Sequence, residues 1–263
     1  MTMPLWNAVV LAGDRGLYDP VAKSANVFGK AAVEFQDQSL LERTISALAN
    51  ANRIDQIFVV GPSSECLQHH KYLSAFLENC NVVHLHPENG PSASALKGII
   101  ASNYYPTLLV TCDLPLLNSR HIEDYCRKVQ NIEADFVVTA VDYERIGGCL
   151  PELHKTKYQF GSVQVCFANV FAVLSEPGLN AIRYWQDIER SRKKPIELIR
   201  KLDWMSVLRY KFKLLTLEQT ANSLSQKVDA RIKIKKCNLP YLALDVDSEH
   251  DYEVFTKYFN GIN

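Results

Sequence analysis

The chain has no surplus of either charge: 29 lysines and arginines face 29 aspartates and glutamates across 263 residues. Nucleic-acid and polyanion binders carry a basic excess, so the balance argues against a nucleic-acid partner. A Cys-x-x-Cys pair is also lacking. The seven cysteines (Cys66, Cys80, Cys112, Cys126, Cys149, Cys166 and Cys237) are odd in number and widely spaced. That pattern excludes a disulfide framework and a cysteine-based zinc site, and it predicts free thiols in a reducing compartment. No apolar run approaches the ~18–20 residues that span a bilayer. The N-terminus has neither the basic stretch nor the long apolar stretch of a signal peptide. A cytoplasmic location without a membrane partner is expected. Repeats and low-complexity segments are absent. No Ser-His-Asp or Cys-His arrangement stands out, so the chemistry does not call for a protein nucleophile.

What is present is an apolar fraction of 47%, enough for a real core. The continuous apolar run Asn7–Ala12 predicts a strand buried on both faces. Ser39 and Glu42 form a capping box, followed by Leu41, Ile45, Leu48 and Ala49 at helical spacing. Strands are predicted over 57–60, stopped by Gly61-Pro62, and over 81–85, 107–111 and 136–141. Helices are predicted over 92–102 and 121–130. From about Arg145 the chain becomes loop-rich around Gly147-Gly148 and Gly161, then helical and basic over 180–225. A last strand is predicted over 241–247, ending in acids, and a last helix over 252–259. Strands alternating with helices imply an α/β, three-layer, Rossmann-like fold with a mostly parallel sheet and helices on both faces. One domain over residues 1–263 is expected, with a helical insertion at about 178–228.

In such sheets ligands bind beyond the carboxyl ends of the strands. The first strand runs into Leu11-Ala12-Gly13-Asp14-Arg15-Gly16, with Lys30 further on. A glycine-containing turn at a strand end can expose backbone N–H groups to a phosphate with no Cβ in the way. Asp113 ends another predicted strand, and Asp245 and Asp247 end the last. Paired carboxylates facing a lysine and an arginine are a minimal set for holding a divalent cation and a polyphosphate.

Leu11-Ala12-Gly13, Lys30 and Leu40-Leu41-Glu42-Arg43 resemble the start of a MobA-like nucleotidyltransferase. The likeness continues through Pro91-Ser92-Ala93-Ser94-Ala95-Leu96, Thr111-Cys112-Asp113-Leu114-Pro115 and Leu244-Asp245-Val246-Asp247-Ser248-Glu249-His250-Asp251. It covers about the first half of the chain and its last stretch. The resemblance implies a glycosyltransferase-A-type fold and a Mg²⁺-dependent reaction. A nucleoside monophosphate would pass from a nucleoside triphosphate to a phosphorylated acceptor (a sugar, polyol or pterin phosphate), with pyrophosphate released. Leu11, Ala12, Gly13, Asp14, Arg15, Lys30, Gly90, Ser92 and Ser94 would bind the nucleotide. Arg15, Lys30 and Asp113 would be catalytic. Asp113, Asp245 and Asp247 would hold Mg²⁺. Asn169, Arg190, Arg192, Lys193 and Lys194 would meet the acceptor, although a run such as 190–194 is also an ordinary solvated helix face.

The chain departs from the family at Asp14, where a second glycine is usual. An acid there would repel a triphosphate unless a metal or Arg15 intervened. Two other readings stay open: a glycosyltransferase of the same fold using a nucleotide sugar, and a non-catalytic nucleotide sensor. The first would call for a mid-chain Asp-x-Asp, which is missing. His84 and His86 share one strand face but lack a third ligand, so ordinary polar histidines are expected.

Overall fold

The computed structural model describes residues 5–191 and 213–261. Its strands are β1 (Trp6–Leu11), β2 (Glu34–Phe35), β3 (Gln38–Ser39), β4 (Ile54–Val60), β5 (Val82–Leu85), β6 (Thr107–Thr111), β7 (Phe136–Asp142), β8 (Tyr158–Phe160), β9 (Val163–Val173) and β10 (Ile232–Cys237). The helices are α1 (Pro20–Ser24), α2 (Leu40–Ala49), α3 (Ser64–His69), α4 (Lys71–Asn79), α5 (Pro91–Ser102), α6 (Ser119–Val129), α7 (Tyr143–Cys149), α8 (Leu179–Ser191), α9 (Leu217–Val228) and α10 (Glu249–Phe259). The main sheet runs β10-β7-β9-β6-β1-β4-β5, with β8 hairpinned onto β9. Neighbouring strands are parallel except at β9, which is antiparallel to β6 and β7.

The sheet is covered on both faces. Trp6, Ala8, Val10 and Ala12 face a core that includes α2, α6 and α10 residues such as Leu41, Tyr125 and Phe255. The alternate residues Val9 and Leu11 face Ala95 and Ile99 of α5 and Ile182 of α8. This explains the apolar pattern of β1: all six residues are buried, five of them facing one core or the other, while Asn7 donates to the Ser102 hydroxyl at 3.0 Å. The α/β class and the mostly parallel sheet are as the sequence leads one to expect. The capping box at Ser39 and Glu42 also forms. Helices α8 and α9 form the two ends of the segment read as a helical insertion, whose centre lies outside the described residues.

Two stretches differ from the sequence reading. Residues 241–247 are not a strand. Pro240 opens a short 3₁₀ turn over Pro240–Ala243, and the residues that follow it form no strand. Their one ladder-like bond is Val246 N–H to the Asp113 carbonyl, at 3.0 Å. Leu242, Ala243, Leu244 and Val246 are buried, so burial alone produces the strand-like apolar pattern. The last strand is instead β10, where Ile232 and Ile234 alternate with lysines that discourage edge pairing. The loop-rich stretch after Arg145 likewise hides α7 and the long strand β9. Asp135 fastens β10 to the sheet, accepting from Arg231 N at 2.7 Å, Nε at 3.1 Å and Nη2 at 2.9 Å. Among the described residues no helix is long and apolar enough to cross a membrane.

Candidate functional site

Four parallel strands end level with one another. Ala12 N–H donates to the Val60 carbonyl (2.9 Å), Gly61 N–H to Leu85 (2.8 Å) and Cys112 N–H to Leu11 (3.0 Å). The close approach at this edge depends on Gly61. Its φ is +98°, and a Cβ there would lie 2.5 Å from the Ala12 carbonyl. The stretch that follows β1 therefore leaves the sheet against the end of β4. Leu11 and Ala12 are buried, whereas Gly13 and Arg15 are exposed.

Asp14 does not point its charge at open space. Its Oδ1 accepts from Gly16 N–H (3.2 Å) and its Oδ2 from Ser63 N–H (2.8 Å), the residue that caps α3. The acid in place of a second glycine thus latches the loop to the α3 N-terminus. Further along, Phe28 is held to the same helix. Its N–H donates to His70 Nε2 (3.1 Å), its carbonyl accepts from Cys66 Sγ (3.0 Å), and its ring stacks on His69 at 4.5 Å. Two open grooves of about 540 Å³ each flank Phe28 on this side. None of Asp113, Asp245 and Asp247 lines either groove.

The pinned loop delivers Lys30 to a carboxylate cluster. Asp113, Asp245 and Asp247 each bring one oxygen within 4.8 Å of the others. Lys30 Nζ lies 3.1 Å from Asp113 Oδ2 and 2.7 Å from Asp247 Oδ1. Thr111 Oγ1 donates to the other Asp113 oxygen. Asp245 is held separately: Lys155 Nζ sits 2.8 Å from Oδ1, and Asn169 Nδ2 donates to Oδ2 at 2.7 Å. Lys155 also pairs with Asp251 Oδ2 at 3.2 Å, an oxygen that accepts from Asp247 and Ser248 N–H as part of the α10 capping box.

The charges shift one another. Burial works against the Lys30 ammonium, but Asp113 and Asp247 outweigh it and hold the proton on. Lys155 behaves the same way through Asp245 and Asp251. Burial, then the charge of Asp113, pushes Asp245 well above the usual carboxylate range. For Asp247 burial also pushes upward, but Lys30 and the contact from Asp245 prevail, and its carboxyl is held low. Four carboxyl groups face two ammonium groups here, and with Asp245 pushed toward its protonated form the cluster still carries more negative than positive charge.

At the neighbouring α5 N-terminus, Gly90 has φ +122° and offers no side-chain cap. The cap comes from α8: Glu189 Oε2 accepts from Ser92 N–H at 3.2 Å and from the Ser92 hydroxyl. Ser94 Oγ accepts from Glu88 N–H at 2.9 Å. Asn169, expected to meet an acceptor, donates to Asp245 Oδ2. The side chain of Arg190, and Arg192, Lys193 and Lys194, fall outside the described residues. Lys155 carried no signal in the sequence, lying in a stretch without periodicity, and Asp251 stood there only as the last residue of the Leu244–Asp251 motif, with no site role assigned.

A family model described as MobA-like NTP transferase domain matches residues 8–203. No curated protein matches the chain. Among solved structures, a hypothetical transferase from Thermus thermophilus superposes with a TM-score of 0.78 at 20% identity, covering 94% of this chain and 99% of that one. The 4-diphosphocytidyl-2C-methyl-D-erythritol synthase of Anaerococcus prevotii gives 0.60 at 12% identity, over 98% and 96%. A CMP:2-keto-3-deoxy-manno-octonic acid synthetase complexed with CTP gives 0.60 at 7%, over 98% and 99%. At these identities the structures speak for the fold.

Proposed function

The chain belongs to the MobA-like NTP transferase domain family and is a nucleotidyltransferase; on that premise we propose that it passes a nucleoside monophosphate from a nucleoside triphosphate to a phosphorylated small molecule, releasing pyrophosphate. The observation that carries this reading is the meeting of Asp113, Asp245 and Asp247 with Lys30 beside the level strand ends. Transfer of a phosphoryl-type group needs positioning and neutralisation of charge more than covalent help.

The donor set fits a hard divalent cation such as Mg²⁺: it is all carboxylate oxygen, and the carboxyl groups outnumber the ammonium groups. Asp113 and Asp247 would hold the ion, with Asp245 the third ligand. When bound, it would polarise the phosphate oxygens. Lys30 and Arg15 would neutralise the triphosphate and the departing pyrophosphate. Gly13 would let backbone N–H groups approach the phosphates, while Leu11, Ala12 and Asp14 would shape that turn. Gly90, Ser92 and Ser94 would line the base and ribose side. Asn169, which also holds Asp245, would meet the acceptor, and Arg190, Arg192, Lys193 and Lys194 would serve its phosphate. The seven unpaired cysteines agree with work in a reducing compartment, which we take to be the cytoplasm.

A thermal-shift screen of the four common nucleoside triphosphates, with and without Mg²⁺, tests the donor. A ligand bound to the folded state alone raises its melting temperature. A Mg²⁺-dependent rise with one triphosphate supports the reading. A rise with nucleotide sugars alone contradicts it.

A further inference from the structure

The two lysines of the cluster are held differently. Lys155 and Asp251 are 7% and 6% exposed, and Asp251 is fixed by the capping box of α10. Lys30 instead reaches from a 3₁₀ turn just after Gly29, whose φ is +90°, and one of its two partners, Asp247, is 59% exposed. Its ammonium lies within 3.1 Å of two of the three carboxylates that can converge on one cation. An ammonium and a divalent ion that share one pair of carboxylates repel each other.

We propose that Lys30 is a resident counter-ion for Asp113 and Asp247, displaced when a divalent cation enters, and that its release toward the phosphates makes metal and nucleotide bind as one cooperative event. The inference rests on the metal and nucleotide roles given under the proposed function. Lys30 thus has two alternative sets of anions: carboxylates in the free protein, phosphates in the loaded one. Metal without nucleotide must break two ion pairs and leaves Lys30 without a partner. Nucleotide without metal meets a lysine already engaged. With both present, each ligand removes the obstacle to the other, and the coupling is reciprocal.

The test is Mn²⁺ binding to the full chain without nucleotide, by electron paramagnetic resonance, for the unchanged protein and for Lys30→Met. Removing the competing cation should tighten Mn²⁺ binding about tenfold, an effect set by charges a few ångströms apart in a partly screened site, while nucleotide binding weakens. Unchanged or weaker Mn²⁺ binding in the variant overturns the inference and leaves Lys30 a static support. Absence of Mn²⁺ binding in both proteins overturns the metal reading of the site itself. If Lys30→Met fails to fold by circular dichroism, the unchanged protein still decides. Acylation of Lys30 by an amine-reactive ester, read by mass spectrometry, should rise at Mn²⁺ concentrations that fill the site by electron paramagnetic resonance; an unchanged extent with the site filled overturns the inference.

Discussion

Lys30 and Asp113 lie 83 positions apart in the sequence and meet at 3.1 Å. Each arrives by its own local device. Asp113 follows β6 at the level edge of the sheet, and Lys30 is carried there by a loop fastened to α3 at both ends.

The fastening at the near end depends on Asp14. Asp14→Ala removes the acceptor for Gly16 and Ser63 N–H, two hydrogen bonds worth about 1 kcal/mol each. A drop in melting temperature of roughly 4–8 °C is expected for a chain of this size. Asp14→Asn, which keeps a single side-chain acceptor oxygen, should fall between the two. A thermal melt by circular dichroism decides it. An unchanged Tm for Asp14→Ala would mean that the latch carries no stability.

The far end responds to pH. His70 accepts from Phe28 N–H through Nε2, which requires that nitrogen to be unprotonated. Burial first, with the neighbouring His69 adding to it, lowers the His70 pKa below its ordinary value. The unfolded chain therefore takes up a proton before the folded chain does. Stability should fall as pH drops from about 6.5 toward the folded value, the unfolded histidine titrating near 6.5. In His70→Gln, whose amide can still accept, that part of the pH dependence should vanish. Urea unfolding of both proteins between about pH 5 and 7.5 reads it. An identical pH slope in the two would contradict the assignment.

The opposite sign applies at Asp135. Hydrogen bonds from the Arg231 guanidinium, working against burial, hold its carboxyl far below the usual range, with Ser175 adding another. The resulting stability is present above the unfolded pKa near 3.9 and is lost as pH falls through the folded value. Asp135→Asn should therefore be less stable at pH 7, by about 1–3 kcal/mol for hydrogen bonds to a charged group. The gap should narrow steadily below about pH 4. A gap independent of pH would show that the contact does not depend on ionisation.

Much of the fold was legible because β1, residues 57–60 of β4 and residues 108–110 of β6 are buried and write that burial as largely apolar runs. Capping residues marked the start of α2 equally well. At the other end of the sheet β7 was legible too, but its two neighbours were not. β10 is an edge strand diluted with lysines, and β9 follows a glycine-containing turn in a stretch of mixed polarity. Residues 241–247 misled for the converse reason: burial by packing produces the same apolar pattern as burial in a ladder.

At the site, the three aspartates and Lys30 could be picked out because they sit near strand ends or in recognisable motifs. Lys155, Asn169 and Glu189 take their present partners through tertiary contacts spanning 76 to 97 positions. Spacing along the chain cannot reveal such contacts. The latching role of Asp14 is of the same kind, since its second partner is 49 positions away.

The central claim is that the carboxylates around Asp113 support metal-dependent nucleotidyl transfer. It is tested most directly by pyrophosphate release with Mg²⁺ and the triphosphate that raises the melting temperature, comparing the unchanged protein with Asp113→Ala. With a folded variant by circular dichroism, turnover should fall at least about a hundredfold, the scale on which losing an electrostatic contributor to charge stabilisation acts. Full Mg²⁺-dependent turnover in the Asp113→Ala protein would contradict the claim.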